Sequence, residues 1–185
     1  MDESSFFEID EPSDWSIIES MLNRQEKQIG ETIDIKMVLS DCDGCLTDGG
    51  MYYSEKGDEL KKFNTKDGMA FSLLQKSGIK TGIITGEKVE LNIRRAQKLH
   101  LDICEVNCID KASKIIEISN IWNVPLSNIL YIGDDLNDLD ALNIVGYSCC
   151  PADAVKKVKD SVNYVASANG GEGVVREIVD GIIFS

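Results

Sequence analysis

The sequence predicts an α/β protein built on a doubly wound, mainly parallel sheet. From Ile35 onward, strand-like apolar runs alternate with helix-like segments. Such repeats build a parallel sheet with helices on both faces. Four polar clusters close successive strand-like runs: Asp41-Cys42-Asp43-Gly44, Thr85-Gly86, Asp110-Lys111 and Gly133-Asp134-Asp135-Leu136-Asn137-Asp138. Ligands in open α/β sheets sit outside the carboxyl ends of the strands, which is where all four clusters fall. A single β-hairpin interrupts the alternation, directly after the first cluster, where it forms a flap over that mouth.

The elements follow in order. Residues 1–34 form an N-terminal extension. Its acidic start, Ser4 to Asp14, precedes a helix that Ser13 caps and that runs to Gln25, with Trp15, Ile18 and Leu22 near helical spacing. A polar linker leads to the second unit, residues 35–185. Ile35 to Leu39 is its first strand. Gly49 to Phe63 reads as a hairpin turning at Lys56-Gly57-Asp58. Asp67 to Lys76 is a helix closed by Gly78. Strands are expected at Lys80 to Ile84, Ile103 to Val106, Ile129 to Ile132, Val145 to Cys149 and Val162 to Val165. Helices are expected at Lys88 to Leu99, Lys111 to Trp122, Leu136 to Leu142 and Ala152 to Val158. A last helix, about Gly173 to Ile183, follows Gly170-Gly171-Glu172-Gly173.

Bulk properties narrow the function. The chain has 185 residues and 43% hydrophobic content, enough for a full core. Its 32 acidic against 19 basic residues give a net charge of -13, which argues against nucleic acid and against an anionic membrane surface. No apolar run reaches membrane-spanning length, and the first residues are acidic and mixed, so a cytoplasmic protein is expected. The six cysteines then read as reduced thiols. With His100 as the single histidine, triad hydrolysis and multi-histidine metal sites are poor candidates.

The clusters themselves suggest phosphoryl chemistry. Asp41, Asp43 and Asp134 gathered in one site would repel one another unless a cation compensates. Magnesium is the natural ion: hard, oxygen-seeking and able to bridge to phosphate. The start of the first cluster also resembles a calcium-binding loop, but Cys45 and Leu46 occupy the positions where that loop needs an oxygen ligand and a glycine. Asp41 suits the role of nucleophile, forming an acyl phosphate. Asp43 suits general acid and then general base. Thr85 can donate to a phosphoryl oxygen, and Lys111, with Lys114 as a nearby rival, can neutralise developing charge. Asp134 completes the metal shell, with Asp135 and Asp138 holding its surroundings in place.

These motifs resemble the haloacid dehalogenase superfamily of phosphotransferases over about residues 35–185. The resemblance implies a Rossmann-like core, Asp41 as nucleophile, Asp43 as acid/base, and Mg2+ held by Asp41, the Asp43 carbonyl and Asp134. Asp41 through Gly50, the hairpin, Phe63-Asn64 with Asp67-Gly68, and the Gly170-Gly171-Glu172-Gly173…Arg176-Glu177 ending look like the branch without a large cap domain. That branch includes 3-deoxy-manno-octulosonate 8-phosphate phosphatases and nonulosonate (sialic acid-type) 9-phosphate phosphatases. Its members are typically homotetramers in which neighbouring subunits help close the site. This implies an interface role for the hairpin and a phosphate- or sugar-facing role for Arg176.

Two features lean toward the nine-carbon acylneuraminate-type ester. Thr85-Gly86 is followed by Glu87, where octulosonate enzymes often carry a basic residue, and Glu87 with Lys98 is similar to a sugar-recognising pair of nonulosonate phosphatases. Glu8 to Trp15 also resembles the tail of CMP-acylneuraminate cytidylyltransferases, as if the chain derived from a synthetase–phosphatase fusion. The expected activity is therefore magnesium-dependent hydrolysis of a nonulosonate 9-phosphate. The rivals are octulosonate 8-phosphate hydrolysis and, in a different class, a non-catalytic oligomerisation domain.

Overall fold

Six parallel strands form the sheet that carries the site. In chain order they are β1 (Met37–Ser40), β4 (Lys80–Ile84), β5 (Ile103–Glu105), β6 (Ile129–Ile132), β7 (Tyr147–Cys150) and β8 (Tyr164–Val165). The computed structural model describes residues 34–55 and 59–184, so the expected Ser13–Gln25 helix and the hairpin turn at Lys56-Gly57-Asp58 lie outside the described residues.

The spatial order is β5-β4-β1-β6-β7-β8. The chain runs outward from β1 through β4 to β5, returns to the other side of β1 at β6, and runs outward again. That reversal opens a crevice at the carboxyl ends of β1 and β6. Met37 pairs in register with Lys80 on one side and Ile129 on the other.

Strand alternation builds two cores. Val38, Ile83, Leu130, Ile132 and Cys149 face one layer, packed against Ala70, Phe71 and Leu74 of α1 (Thr65–Lys76) and Val174, Val175 and Ile178 of α6 (Val174–Ile178). Met37, Leu39, Ile84, Ile129, Tyr131 and Cys150 face the other, against Ile115 and Ile118 of α3 (Lys111–Trp122) and Ala141 and Leu142 of α4 (Leu139–Ile144). Because β1 and β6 are buried on both faces, they read as continuous apolar runs rather than alternating ones.

The remaining helices are α2 (Glu90–Lys98) and the short α5 (Lys156–Lys159). In α1, Asp67, Ala70, Phe71 and Leu74 are buried at helical spacing, and Asn64 caps the helix by accepting from Lys66 N at 2.9 Å. The hairpin is short: β2 (Tyr52–Tyr53) pairs antiparallel with β3 (Glu59–Leu60).

Three expected helices differ in form. Leu136 to Leu142 is split into a tight turn, Leu136–Asp138, and then α4, because the Asp135 and Asp138 side chains cap the backbone reciprocally. The helix expected from Ala152 starts only at Lys156. The last helix widens into a looser turn over Val179–Ile183. All six cysteines are free thiols. Among the described residues no helix is long and apolar enough to cross a membrane.

Candidate active site

The loop after β1 is built to hold two carboxylates at the crevice. Cys42–Leu46 forms a wide turn, closed by Thr47 N donating to Cys42 O at 3.0 Å. Gly44 adopts a φ of 87°, and a Cβ there would fall onto the Asp134 carboxylate, so only glycine lets the two loops approach. From the far end of the chain, Gly171 N donates to Cys45 O at 2.9 Å, and Gly170 packs against the Gly44 carbonyl with no room for a Cβ. The Gly170-Gly171-Glu172-Gly173 segment thus buttresses the loop after β1 from behind.

A cleft of about 170 Å³ opens at this end of the sheet. It is lined by Asp41 and Asp43, by Thr85, Gly86 and Glu87, and by Asp134, Asp135 and Asn137. The clusters after β1, β4 and β6 therefore meet in one place. The cluster before α3 joins through Lys111. Asp110 caps α3 by accepting from Ser113 N at 2.9 Å, which makes Lys111 the first helical residue. The buried Lys111 Nζ lies 3.0 Å from Asp41 Oδ2 and 2.6 Å from Asp138 Oδ1. Burial opposes its charge, but Asp41 and Asp138 outweigh that and hold its pKa above the ordinary lysine value. Lys114, the rival from sequence, instead pairs with Glu105 and Glu117.

Asp138 organises this end. Its Oδ1 accepts from Lys111 and, at 2.7 Å, from Tyr131 OH, while its Oδ2 accepts from the backbone N–H groups of Asp134 and Asp135. Oxygens of Asp41, Asp134 and Asp138 lie within 4.8 Å of one another, a grouping able to hold a cation. Among the described residues, each Asp138 oxygen takes two donors, whereas each Asp41 oxygen takes one (Cys42 N and Lys111 Nζ) and Asp134 Oδ2 takes none, so Asp41 and Asp134 keep the greater capacity to ligate. Asp135 caps the turn after it by accepting from Leu136 N at 2.6 Å.

The electrostatics fit a divalent ion. Burial, then the Asp138 charge, push Asp41 up to about 7 despite Lys111. Burial, then Asp41 and Asp138, push Asp134 up to about 7. A buried and a half-buried acid, raised chiefly by burial and then by neighbouring carboxylates, are what a hard cation relieves, and oxygen-only donors suit magnesium. Magnesium is the cofactor of this site; bound there, it would neutralise the carboxylates and polarise a phosphoryl oxygen.

Thr85 is buried; its Oγ1 accepts from Glu87 N at 3.3 Å, and its hydrogen can be donated into the cleft. Asp43 Oδ1 accepts from Thr47 Oγ1 at 3.1 Å, and its Oδ2 lies 2.7 Å from Lys61 Nζ. Glu87 Oε2 lies 2.8 Å from the same ammonium.

The remaining expectations fare differently. Glu87 lines the cleft, but Lys98 lies exposed near the end of α2, and the structure pairs Glu87 with Lys61 instead. Arg176 Nε lies 2.6 Å from Asp180 Oδ2, and Arg176 is not among the residues lining the cleft. Sequence reasoning missed Tyr131, which reads as one more apolar strand residue, and Lys61, which reads as a surface charge on a hairpin arm. Thr47 lay within the first motif and was passed over for its carboxylates.

Comparisons with known proteins agree with this geometry. Residues 83–178 match the family described as haloacid dehalogenase-like hydrolase. The 3-deoxy-D-manno-octulosonate 8-phosphate phosphatase of Haemophilus influenzae is 33% identical over 150 residues, covering 81% of this chain and 83% of that protein. The Escherichia coli K12 enzyme of the same name is 34% identical over 155 residues, covering 82% and 81%. Among solved structures, the Moraxella catarrhalis octulosonate phosphatase, in complex with magnesium, phosphate and KDO, superposes with a TM-score of 0.81 at 31% identity, over 89% of this chain and 92% of that one. The cobalt-bound Haemophilus influenzae enzyme gives 0.79 at 32% identity, over 83% and 90%.

Proposed function

The chain belongs to the haloacid dehalogenase-like hydrolases and is a magnesium-dependent phosphoric monoester hydrolase, and on that premise we propose that its substrate is 3-deoxy-D-manno-octulosonate 8-phosphate. The observation that carries the chemistry is the union of Asp41, Asp43, Thr85, Lys111 and Asp134 at one end of the sheet. The substrate rests on the similarity to octulosonate phosphatases over about four-fifths of both chains.

The residues divide the work as follows. Lys111 and Thr85 orient the phosphoryl group over Asp41. An Asp41 carboxylate oxygen attacks phosphorus while Asp43 gives its proton to the departing ester oxygen, so the P–O bond to the sugar breaks as the P–O bond to Asp41 forms. Asp43 then takes a proton from water as the water oxygen attacks phosphorus, the bond to Asp41 breaks, and phosphate leaves. Tyr131 and Asp138 keep the Lys111 ammonium on Asp41. The same five side chains weigh against a purely structural oligomerisation role. The exposed Tyr52, Tyr53 and Leu60 of the hairpin support assembly with further copies, in keeping with the tetramers of the branch.

One observation favours a second reading, hydrolysis of a nonulosonate 9-phosphate: Glu87, where the octulosonate branch often has a basic residue, lines the cleft. The deciding experiment is phosphate release with magnesium from matched octulosonate 8-phosphate and nonulosonate 9-phosphate. A higher kcat/KM for the eight-carbon ester supports the proposal. Preference for the nine-carbon ester would keep the mechanism and replace the substrate. No release from either by a folded protein would refute both.

A further inference from the structure

Lys61 is brought to the cleft wall by the hairpin, not by the sheet. It follows β3, whose Leu60 is 64% exposed, yet the Lys61 side chain is itself 0% exposed. Its Nζ sits 2.7 Å from Asp43 Oδ2 and 2.8 Å from Glu87 Oε2. The two carboxylates keep part of their surface open, 23% for Asp43 and 43% for Glu87. The ammonium is thus hidden behind the two acids that face the cleft.

A buried ammonium persists only where its charge is paired, and here both partners come from other elements. Asp43 belongs to the loop after β1 and Glu87 to the loop after β4. With Thr47 donating to its other oxygen, Asp43 accepts at both ends, which fixes its orientation, and the free lone pair of one oxygen is left to carry the proton it hands to the ester oxygen. Glu87 is held by one oxygen, which leaves its second for a hydroxyl of the leaving group.

Resting on the phosphatase reading above, we propose that Lys61 is a positioning residue for the leaving-group half of the reaction. It fixes the Asp43 carboxyl against the ester oxygen and the Glu87 carboxylate against the departing alcohol. It acts through those two side chains, being too enclosed to touch the substrate itself.

The test compares kcat/KM, which covers the steps up to departure of the alcohol, for wild type, Lys61→Met and Lys61→Arg in the full chain with magnesium. Three esters are used: octulosonate 8-phosphate, phenyl phosphate and p-nitrophenyl phosphate. Nitrophenolate leaves without a proton, so a misplaced acid matters least there. We expect Lys61→Met to lose roughly 30-fold on the first two esters and less than about threefold on the third, with Lys61→Arg recovering most of the loss. Equal losses on all three, or none on the first two, would overturn the proposal. A wild type that cleaves the aryl esters but not the octulosonate ester would refute the substrate reading alone, and the phenyl-to-nitrophenyl contrast would still decide on Lys61. If circular dichroism shows Lys61→Met unfolded, Lys61→Gln carries the same comparison.

Discussion

The two ends of the cleft are built by different rules. Around Asp41, the groups sit at the ends of parallel strands or in the first turn after them, and Asp41, Lys111 and Asp138 are buried. Their partners are one another. Around Asp43 and Glu87, the two acids stand on the loops after β1 and β4 and are partly exposed, and a single enclosed ammonium from the hairpin links them. Phosphoryl chemistry is thus bound into the sheet, where a change disturbs the core. The leaving-group side adds a hairpin, bearing Lys61, that can be altered while the sheet stays intact.

The sharpest way to break that contrast is Asp41→Asn. We expect turnover to fall by about 10⁴-fold or more, since the nucleophile has no substitute within the cleft. Stability should fall only modestly at pH 7: the amide nitrogen must face one of the donors Asp41 accepts from, Cys42 N or Lys111 Nζ, while Asp138 still pairs with Lys111. Burial and the Asp138 charge already disfavour ionised Asp41, and the amide keeps the shape without the charge. Phosphate release and thermal melting on one preparation read both. A large loss of Tm would mean that Asp41 is a structural anchor and that the two ends differ less than argued.

Lys111→Met should do the opposite to stability. It strips the cation from between Asp41 and Asp138, leaving buried carboxylates without compensation. Removing one partner of a buried pair costs about 3–5 kcal/mol. Urea unfolding should show that loss, beside inactivity. A change below about 1 kcal/mol would mean that the pair is no stronger than a surface one.

The same contrast governs what could be read from sequence. The strands were legible because β1 and β6 are buried on both faces and appear as unbroken apolar runs. The order of the four clusters followed, since each marks the carboxyl end of a parallel strand or the turn beyond. Tyr131 was not legible: its ring satisfies the strand pattern, and only the fold shows its hydroxyl on Asp138. Lys61 was hidden for a different reason. Nothing in a hairpin's local pattern tells whether an arm's lysine meets water or two carboxylates more than ten residues away in the chain. The split of Leu136 to Leu142 into a turn and a helix escaped as well. There, side-chain caps from Asp135 and Asp138 win over helical periodicity.

Magnesium should sharpen the comparison in a pH-dependent way. Asp41 and Asp134 are pushed up to about 7, and Asp67, through burial, to about 6, against an ordinary 3.8. Their folded forms bind protons more tightly than the unfolded chain does. In metal-free protein the stability they contribute is therefore full below about pH 4 and is lost as the pH rises toward 7. The ion needs ionised carboxylates, so its stabilisation grows over the same window, reaching about 2.7 kcal/mol at a hundred times its Kd. Melting with EDTA and with magnesium from pH 4.5 to 7.5 should give a widening gap. A constant gap would mean that the ion binds away from Asp41 and Asp134.

The smallest effect is expected at Arg176, and it tests where the cleft's influence stops. The family resemblance implies that this side chain faces phosphate or sugar. In the structure its Nε is engaged by Asp180 one turn later, with the two side chains 33% and 49% exposed. Its backbone N–H, not its guanidinium, is what reaches inward, donating to Asp67 Oδ1 at 3.0 Å. Replacement by alanine keeps that backbone bond and removes a solvent-screened pair, a loss of under about 1 kcal/mol. Within a single copy, kcat and KM should then stay within about twofold of wild type, because no interaction with the reacting atoms is removed. A tenfold rise in KM with kcat unchanged would place the guanidinium on substrate held by a neighbouring copy. The leaving-group end would then be completed by assembly, and the contrast between the two ends would become one between a subunit's core and its contacts.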